Sequence, residues 1–446
     1  MDFAKKSFFG LVFLILIFLG TEAGLVLLRS PSLQYYRDLK LIHSFHPEYY
    51  VALEPGQSRY VSHFAGKWEG QFSINSLGLR GKEEPVPGKP KLLCLGDSLV
   101  MGFGVGDSDT FCQLLDGIQL KGEARQALNL GVDAYGSRGS YYRLKDISAK
   151  LDNVKEVLFF ISPNDFDMPE VLAKKGILPD DQTDAIREKD PNYARNFKLQ
   201  FILTRISYTL QALKLAYEQI QVTFAVTKLS VCKELDSAGF YRCSMLSAPE
   251  ENTSAAGNGS VQSNVNRPSG NLVSYFESSF FRPIKKPNCD SDITPTSAVF
   301  GSICPEPVPA HVTCVDSAPS FESLPVLPEL TQEYYQKMID LAKERGFKLV
   351  PVILPIQIEE IYCYNNGKYH PLENYATRAS AFFEKRGVKV LRFKKETGSM
   401  CGFDQNGKKF GILDHYIPED GHFTKRGNIW AAESLKAKLK ETDLAL

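Results

Sequence analysis

The sequence predicts a three-layer, doubly wound, mainly parallel α/β fold, preceded by one N-terminal membrane helix and interrupted by a large Ser/Pro/Cys-rich insertion. Three observations predict it. From Lys91 onward, short apolar runs alternate with amphipathic stretches, as βα units do. Near the N-terminus, the run Phe8 to Leu28 carries Glu22 as its only charge. The window 231–329 holds 16 serines and 11 of the chain's 25 prolines and lacks sustained helical periodicity.

The apolar run comes first. Twenty-one residues at ~1.5 Å each span roughly 30 Å as a helix, about the hydrocarbon thickness of a bilayer. Residues 1–30 are therefore a membrane anchor or a signal segment. A cleaved signal peptide would use Phe8 to Leu19 and be cut near Gly20–Gly24. An anchor would use the whole run, with Lys5 and Lys6 on the cytoplasmic side. The anchor is favoured because apolar residues resume at Leu25 to Leu28. Both readings export the remaining chain to the periplasm or exterior, single-pass in the first case and secreted in the second. No cysteine follows the run to accept a lipid.

Residues 31–88 form a juxtamembrane segment rich in Tyr and His, without a clear period. The first part of the α/β domain, 89–230, begins with a strand over Lys91–Leu95 and a helix over 108–120. A strand over Ala127–Leu130, a helix over 138–150 and a strand over Val157–Ile161 follow, then a long helical region near 194–229. The insertion, 231–329, reads as a surface elaboration that is partly disordered or stapled by cysteines, and a lid or partner surface is the competing use. The second part, 330–446, resumes with helix 330–345, strand 347–354, helix 371–386, strand 388–393 and helix 424–440. Five strands, each followed by a helix or helical loop, give the doubly wound arrangement.

Charge excludes one class of partner. With 52 basic and 52 acidic residues the net charge is zero, so nothing global favours nucleic acid. Five of the nine cysteines (Cys232, Cys243, Cys289, Cys304 and Cys314) crowd the insertion with no Cys-x-x-Cys pair. Disulfides in an oxidising compartment are the expectation, and no metal site. The odd count leaves at least one thiol over. Apolar-flanked Cys94 is the candidate, with the role of a buried small hydrophobe. Gly102-x-Gly104-x-Gly106 lacks dinucleotide-binding spacing and no Walker loop occurs, so no organic cofactor is expected either.

The chemistry centres on Gly96-Asp97-Ser98-Leu99, directly after the first strand and before a glycine-rich loop. In an open parallel sheet the ligand crevice lies outside the carboxyl ends of the strands. A serine there needs a base within hydrogen-bond reach to become a nucleophile. Of seven histidines, His422 is best placed, in a loop leading into the final helix with Asp420 and Glu419 just before it. A carboxylate there can fix the imidazole tautomer and stabilise the imidazolium. His415, beside Asp414, is the weaker rival.

These motifs bear a family resemblance. Cys94 to Val105 resembles the first block of the SGNH/GDSL hydrolases, whose serine is the nucleophile. Asn129-Leu130-Gly131-Val132-Asp133-Ala134-Tyr135-Gly136 looks like the second block, Ser162-Pro163-Asn164-Asp165 like the third, and Asp420-Gly421-His422 like the last. Asn75 to Gly81 resembles a turn upstream of the serine in envelope members. The resemblance covers about 75–225 and 330–446 and leaves out the insertion. It implies an SGNH/flavodoxin-like sheet, Ser98 as nucleophile, His422 as general base and Asp420 as its orienter. Ser98 and Ala134 backbone N–H groups and the Asn164 side-chain amide would form the oxyanion hole. Three departures stand out. Ala134 and Ser162 replace glycines of the pattern, and the acid precedes the histidine by two residues instead of the commoner three, a spacing found in O-acetyltransferase-like branches.

The expected function is a membrane-tethered esterase acting on O-acyl or O-acetyl groups of an envelope glycan, a lipid or a small ester. An acyltransferase with the same residues differs only in the acceptor. An inactive binding or scaffold module using the insertion is the third possibility.

Overall fold

The strand at Lys91–Leu95 (β5) shows why the sheet is buried on both sides. All five residues are buried, with Leu92 and Cys94 in one apolar cluster and Leu93 and Leu95 in another. With side chains alternating between faces, four successive apolar residues, Leu92 to Leu95, require a covered sheet. The fold, taken from a computed structural model, is described for residues 2–28, 30–133, 135–162, 192–217, 220, 306–324, 326–356, 358–404, 407–418 and 420–442.

An apolar helix, α1 (Asp2–Leu28), leads into α2 (Pro31–Ile42) and two antiparallel hairpins. These are β1 (His43–His46) with β2 (Tyr50–Leu53), and β3 (Ser58–Ser62) with β4 (Glu69–Ser73). After β5 come α3 (Ser98–Met101), α4 (Phe111–Leu114) and a small ribbon of β6 (Gln119–Leu120) and β7 (Glu123–Ala124). Then follow β8 (Gln126–Asn129), α5 (Ser137–Ser148), β9 (Val154–Phe160), α6 (Tyr193–Ile206), α7 (Glu329–Arg345) and β10 (Lys348–Ile353). The chain closes with α8 (Ile358–Asn365), α9 (Asn374–Glu384), β11 (Leu391–Arg392), the ribbon β12 (Gly402–Phe403) with β13 (Lys409–Phe410), and α10 (Lys425–Glu441).

The central sheet has the order β11-β10-β9-β5-β8, and every neighbouring pair is parallel. In chain order of its own strands this is 2-1-3-4-5, a doubly wound sheet whose winding reverses between β5 and β9. One face packs α4, α8 and α10 through Phe111, Ile361 and Trp430. The other packs α5, α7 and α9 through Leu144, Met338 and Phe383. The predicted three-layer α/β architecture is therefore present, and β5 ends at the reversal, the point at which open sheets of this kind place a ligand crevice.

Several local expectations are corrected. The helix expected over 108–120 is a 3₁₀ turn at Asp107–Asp109 followed by α4. Gly117, in the left-handed region, turns the chain into β6 instead. The strand expected over 388–393 pairs only at Leu391–Arg392, and the helix expected over 371–386 starts with a 3₁₀ turn at Pro371–Glu373. The long helix expected near 194–229 breaks at Ser207, and 221–305 lies outside the described residues. Cys94 is not free. It is bonded to Cys112 of α4, on the face that both residues share. Cys314, counted with the insertion, reaches Cys363 of α8, and Cys401 is also in a disulfide.

Glu360 of α8 is buried beside the sheet with Oε2 lacking a hydrogen-bond partner among the described residues. Burial, reinforced by Glu373 and opposed by Lys394 and Arg392, pushes its carboxyl up to about 8. A carboxyl raised in the folded state binds protons there that the unfolded chain has released, so stability falls from pH 4.5 upward. Glu360→Gln should leave the melting temperature unchanged near pH 4. At pH 8.5 it should stabilise the protein by on the order of 1–3 kcal/mol, read by thermal melts across pH.

Candidate active site

Ser98 is the first residue of α3, one residue past the turn that follows β5. Asp97 caps that helix, its carboxylate accepting the Leu99 N–H at 2.9 Å. As an N-terminal helix position, the Ser98 N–H has no intrahelical acceptor. Glycines allow the turn. A Cβ on Gly96 would stand 2.6 Å from Val100 Cγ2, and one on Gly102, at φ +76°, would stand 2.4 Å from Thr110.

His422 arrives from the far end of the chain. The loop 416–423 is closed at its base by a bridge between Tyr416 and Phe423 and by the Ile417 N–H donating to the His422 carbonyl at 2.8 Å. Thr424 then caps α10, accepting from the Gly427 N–H. Gly427 has no room for a side chain, because a Cβ would lie 2.2 Å from the His415 carbonyl.

The two loops meet. His422 Nε2 lies 2.7 Å from Ser98 Oγ, and His422 Nδ1 is hydrogen-bonded to Asp420 Oδ1. With Nδ1–H donating to the carboxylate, Nε2 is the acceptor and the serine hydroxyl donates to it, the arrangement a general base requires. Burial works to raise the Asp420 carboxyl, but the hydrogen bond and charge of His422 outweigh it, and the net shift is downward. Asp420 is thus held as a carboxylate. Phe103 packs its ring 4.9 Å from the imidazole and Trp68 backs Phe103 at 5.0 Å, which fixes the ring's tilt.

No protein-family model matches the chain, and no curated protein matches it in sequence. The site therefore has to be read from its own geometry. Of the residues singled out from sequence, Ser98, His422 and Asp420 come together. Ala134, Asn164 and Glu419 lie outside the described residues. His415 is not part of the cluster. It is fully buried, its Nδ1 3.0 Å from the Gly411 carbonyl, and burial first of all pulls it down to about 4. Among the described residues no three His, Cys, Asp or Glu side chains are grouped as metal ligands would be.

The second-block loop is pressed against α3. Asn129 Nδ2 donates to the Val100 carbonyl at 2.7 Å, and its Oδ1 accepts the Gly131 N–H at 2.9 Å. A Cβ on Gly131 would fall 2.2 Å from the Met101 nitrogen, so only glycine permits this approach. The turn at Asn75–Gly81 supports the same region. Arg80 donates from its backbone to the Asn129 carbonyl and from its guanidinium to Val105 in the glycine-rich loop, and pairs with Asp107. Beside Asp420 and Gly421 a cavity of about 500 Å³ opens, walled by Ile356, Ile358, Leu413, Ile417 and Pro418.

Sequence reasoning missed a second imidazole–carboxylate pair. Buried His43 bonds through Nε2 to Asp133 of the second-block loop and through Nδ1 to the Leu39 carbonyl. A carbonyl calls for N–H at Nδ1 and a carboxylate for N–H at Nε2, so the two acceptors together favour the protonated ring. Burial alone would lower His43, but Asp133's charge and hydrogen bond raise it on balance; Asp133 is held down by the same contact against its own burial. The only sequence signal was the His/Tyr richness of 31–88.

The raised histidine contributes fully below its unfolded value of 6.5 and loses that contribution as pH climbs through its folded pKa. The lowered aspartate contributes above 3.8 and loses it as pH falls. His43→Gln should therefore cost most, on the order of 1–2 kcal/mol since Asp133 is partly open to solvent, between those two values. The deficit should shrink in alkaline buffer, as paired melting curves of wild type and variant would record.

Proposed function

We propose that this protein is a membrane-tethered serine hydrolase that cleaves ester bonds, of the O-acyl or O-acetyl kind, through Ser98, His422 and Asp420. One observation carries the reading: the 2.7 Å contact between Ser98 Oγ and His422 Nε2, with Asp420 bonded to the other ring nitrogen. Residues 324 apart in sequence meet with donors and acceptors in the order that nucleophilic catalysis needs. The four-block resemblance to SGNH/GDSL hydrolases supports the same assignment.

In the proposed reaction Ser98 Oγ attacks the ester carbonyl carbon while His422 Nε2 takes the hydroxyl proton. The C=O electron pair moves onto oxygen, which faces the Ser98 N–H and, by the resemblance, the Ala134 N–H and the Asn164 amide. Each such donor is worth about 3 kcal/mol in the transition state. The pair returns, the C–O bond breaks, and the alkoxide leaves with the proton from His422. Water, deprotonated by His422, then attacks the acyl-serine and releases the acid and Ser98. A sugar hydroxyl in place of water would make the same intermediate a transferase. The apolar-walled cavity beside Asp420 gives the acyl or alkoxy group a place to lodge.

In this reading α1 stays attached as the anchor, Lys5 and Lys6 face the cytoplasm, and the α/β domain lies outside. The helix is long and apolar enough to cross a membrane. The disulfides Cys94–Cys112 and Cys314–Cys363 fit an oxidising compartment.

A fluorophosphonate probe should label wild type at Ser98 and leave Ser98→Ala unlabelled; an unlabelled wild type would return the protein to the scaffold class. On a panel of nitrophenyl esters of graded chain length, Asp420→Asn should lower kcat on the order of 10³–10⁴-fold with KM little changed, because the ring keeps its place but loses the correct tautomer. Free acid as the main product supports hydrolysis, whereas a glycan acceptor that captures the acyl group identifies a transferase.

A further inference from the structure

Glu22, the one charge in the apolar run of α1, has a structural use. Its carboxylate accepts hydrogen bonds from Ser207 Oγ at 2.7 Å, from the Tyr208 N–H at 2.8 Å and from the Thr209 N–H at 2.9 Å. Ser207 marks the end of α6, and residues 208–217 continue as a second helix. Glu22 therefore caps that second helix from outside, satisfying its orphan N–H groups and meeting the positive end of its dipole. A carboxylate in an apolar span is costly unless it is paired in this way. Cleavage near Gly20–Gly24 would remove the cap.

The contact also sets a level. Glu22 stands six residues before the end of α1 at Leu28, about 9 Å along the helix axis. The corner 207–209 consequently lies about 9 Å inside the end of the apolar helix, which is itself unburied along its length.

Both sides of α6 are apolar, but among the described residues only one is covered. Tyr193 and Phe197 pack on the first hairpin, 5.5 Å from the Tyr50 ring and 6.2 Å from the Phe45 ring, and Lys40 lies over Phe201. On the opposite side Leu199, Ile202, Leu203 and Ile206 follow the i, i+3, i+4, i+7 spacing of one stripe and are 37–64% exposed. Beyond the corner, Leu213, Tyr217 and Ile220 repeat the pattern. Of the thirteen large apolar side chains exposed outside α1 among the described residues, seven fall within 193–220. Such a concentration marks a contact surface and not the usual scatter.

The geometry points to a lipid bilayer as the occupant: the two helices 193–206 and 208–217 lie in the interface of the leaflet from which the C-terminal end of α1 emerges, their two stripes immersed at the headgroup–acyl boundary. This rests on reading α1 as an uncleaved anchor. The stripes are joined through Glu22 to a helix that would itself face lipid, and the corner's depth matches the 5–10 Å to which interfacial helices sink. Exposed Arg195 and Lys198 flank the stripe on α6, where cations meet lipid phosphates.

Tryptophan reporters in the full-length chain, reconstituted into phosphatidylcholine vesicles brominated at known acyl positions, test this. The native Trp68 and Trp430 are buried and give a common background. Ile206→Trp and Leu213→Trp, both at exposed sites, should emit to the blue and be quenched at a depth of about 5–10 Å below the headgroups. Phe13→Trp should be quenched by the deepest bromines and Val86→Trp by none. Quenching of Phe13→Trp with neither Ile206→Trp nor Leu213→Trp affected overturns the interfacial surface and leaves the anchor standing. Absence of quenching at all three overturns the anchor as well, while fluorophosphonate labelling of Ser98 reports separately on the hydrolase reading.

Discussion

The arrangement of the site depends on one apolar contact that the central sheet does not supply. Three loops leave the carboxyl ends of the strands, and each sends a side chain into a third buried cluster: Met101 from α3, Val132 and Tyr135 from the second-block loop, Ile417 from the loop of His422. The segment 31–74 fills the other half of that cluster with Tyr35, Ile42, Trp68 and Phe72. Packing of this kind costs several kcal/mol to disturb, because interiors relax only partly around a lost side chain. The loops are thus positioned from above by the N-terminal hairpins as well as from below by the sheet.

Polar contacts add direction to that packing. His43 holds Asp133, Arg80 holds the Asn129 carbonyl and the glycine-rich loop, and Lys67 donates to the Pro418 carbonyl beside the acid. Each donor comes from residues 43–80 and each acceptor from a loop that carries or adjoins a site residue. Hydrogen bonds contribute modest net stability but are directional, so these contacts serve to select one loop conformation. A segment with no readable period therefore acts as the clamp on the site. That segment was opaque in the sequence because its strands are only four or five residues long, too short for alternation to stand out.

The sheet was legible for the opposite reason. Leu92–Leu95, Val157–Phe160 and Leu349–Ile353 are apolar runs buried on two faces, and that composition survives without knowledge of neighbours. Serine and histidine could be found because each sits where a strand or loop hands over to a helix, with glycine and a capping residue on either side. Pairings across the fold were not legible. Cys94 and Cys112 meet because β5 and α4 turn the same face to one cluster. Nothing in the spacing distinguishes that from a buried thiol. Likewise α8, eight residues long, follows Pro355 in a stretch to which the sequence assigned no element.

The two-residue spacing from Asp420 to His422 follows from the same local economy. Here Gly421 takes φ +85°, a conformation that residues with a Cβ rarely adopt, and this folds the backbone back between acid and base. Asp420 Oδ1 then faces both the His422 N–H, at 3.4 Å, and the Nδ1 of its ring. The bridge at Tyr416–Phe423 and the cap at Thr424 hold the two ends of the loop. A side chain at 421 would strain that backbone even though nothing lies within 4 Å of its Cβ. Space is available there, and conformation alone reserves the position for glycine.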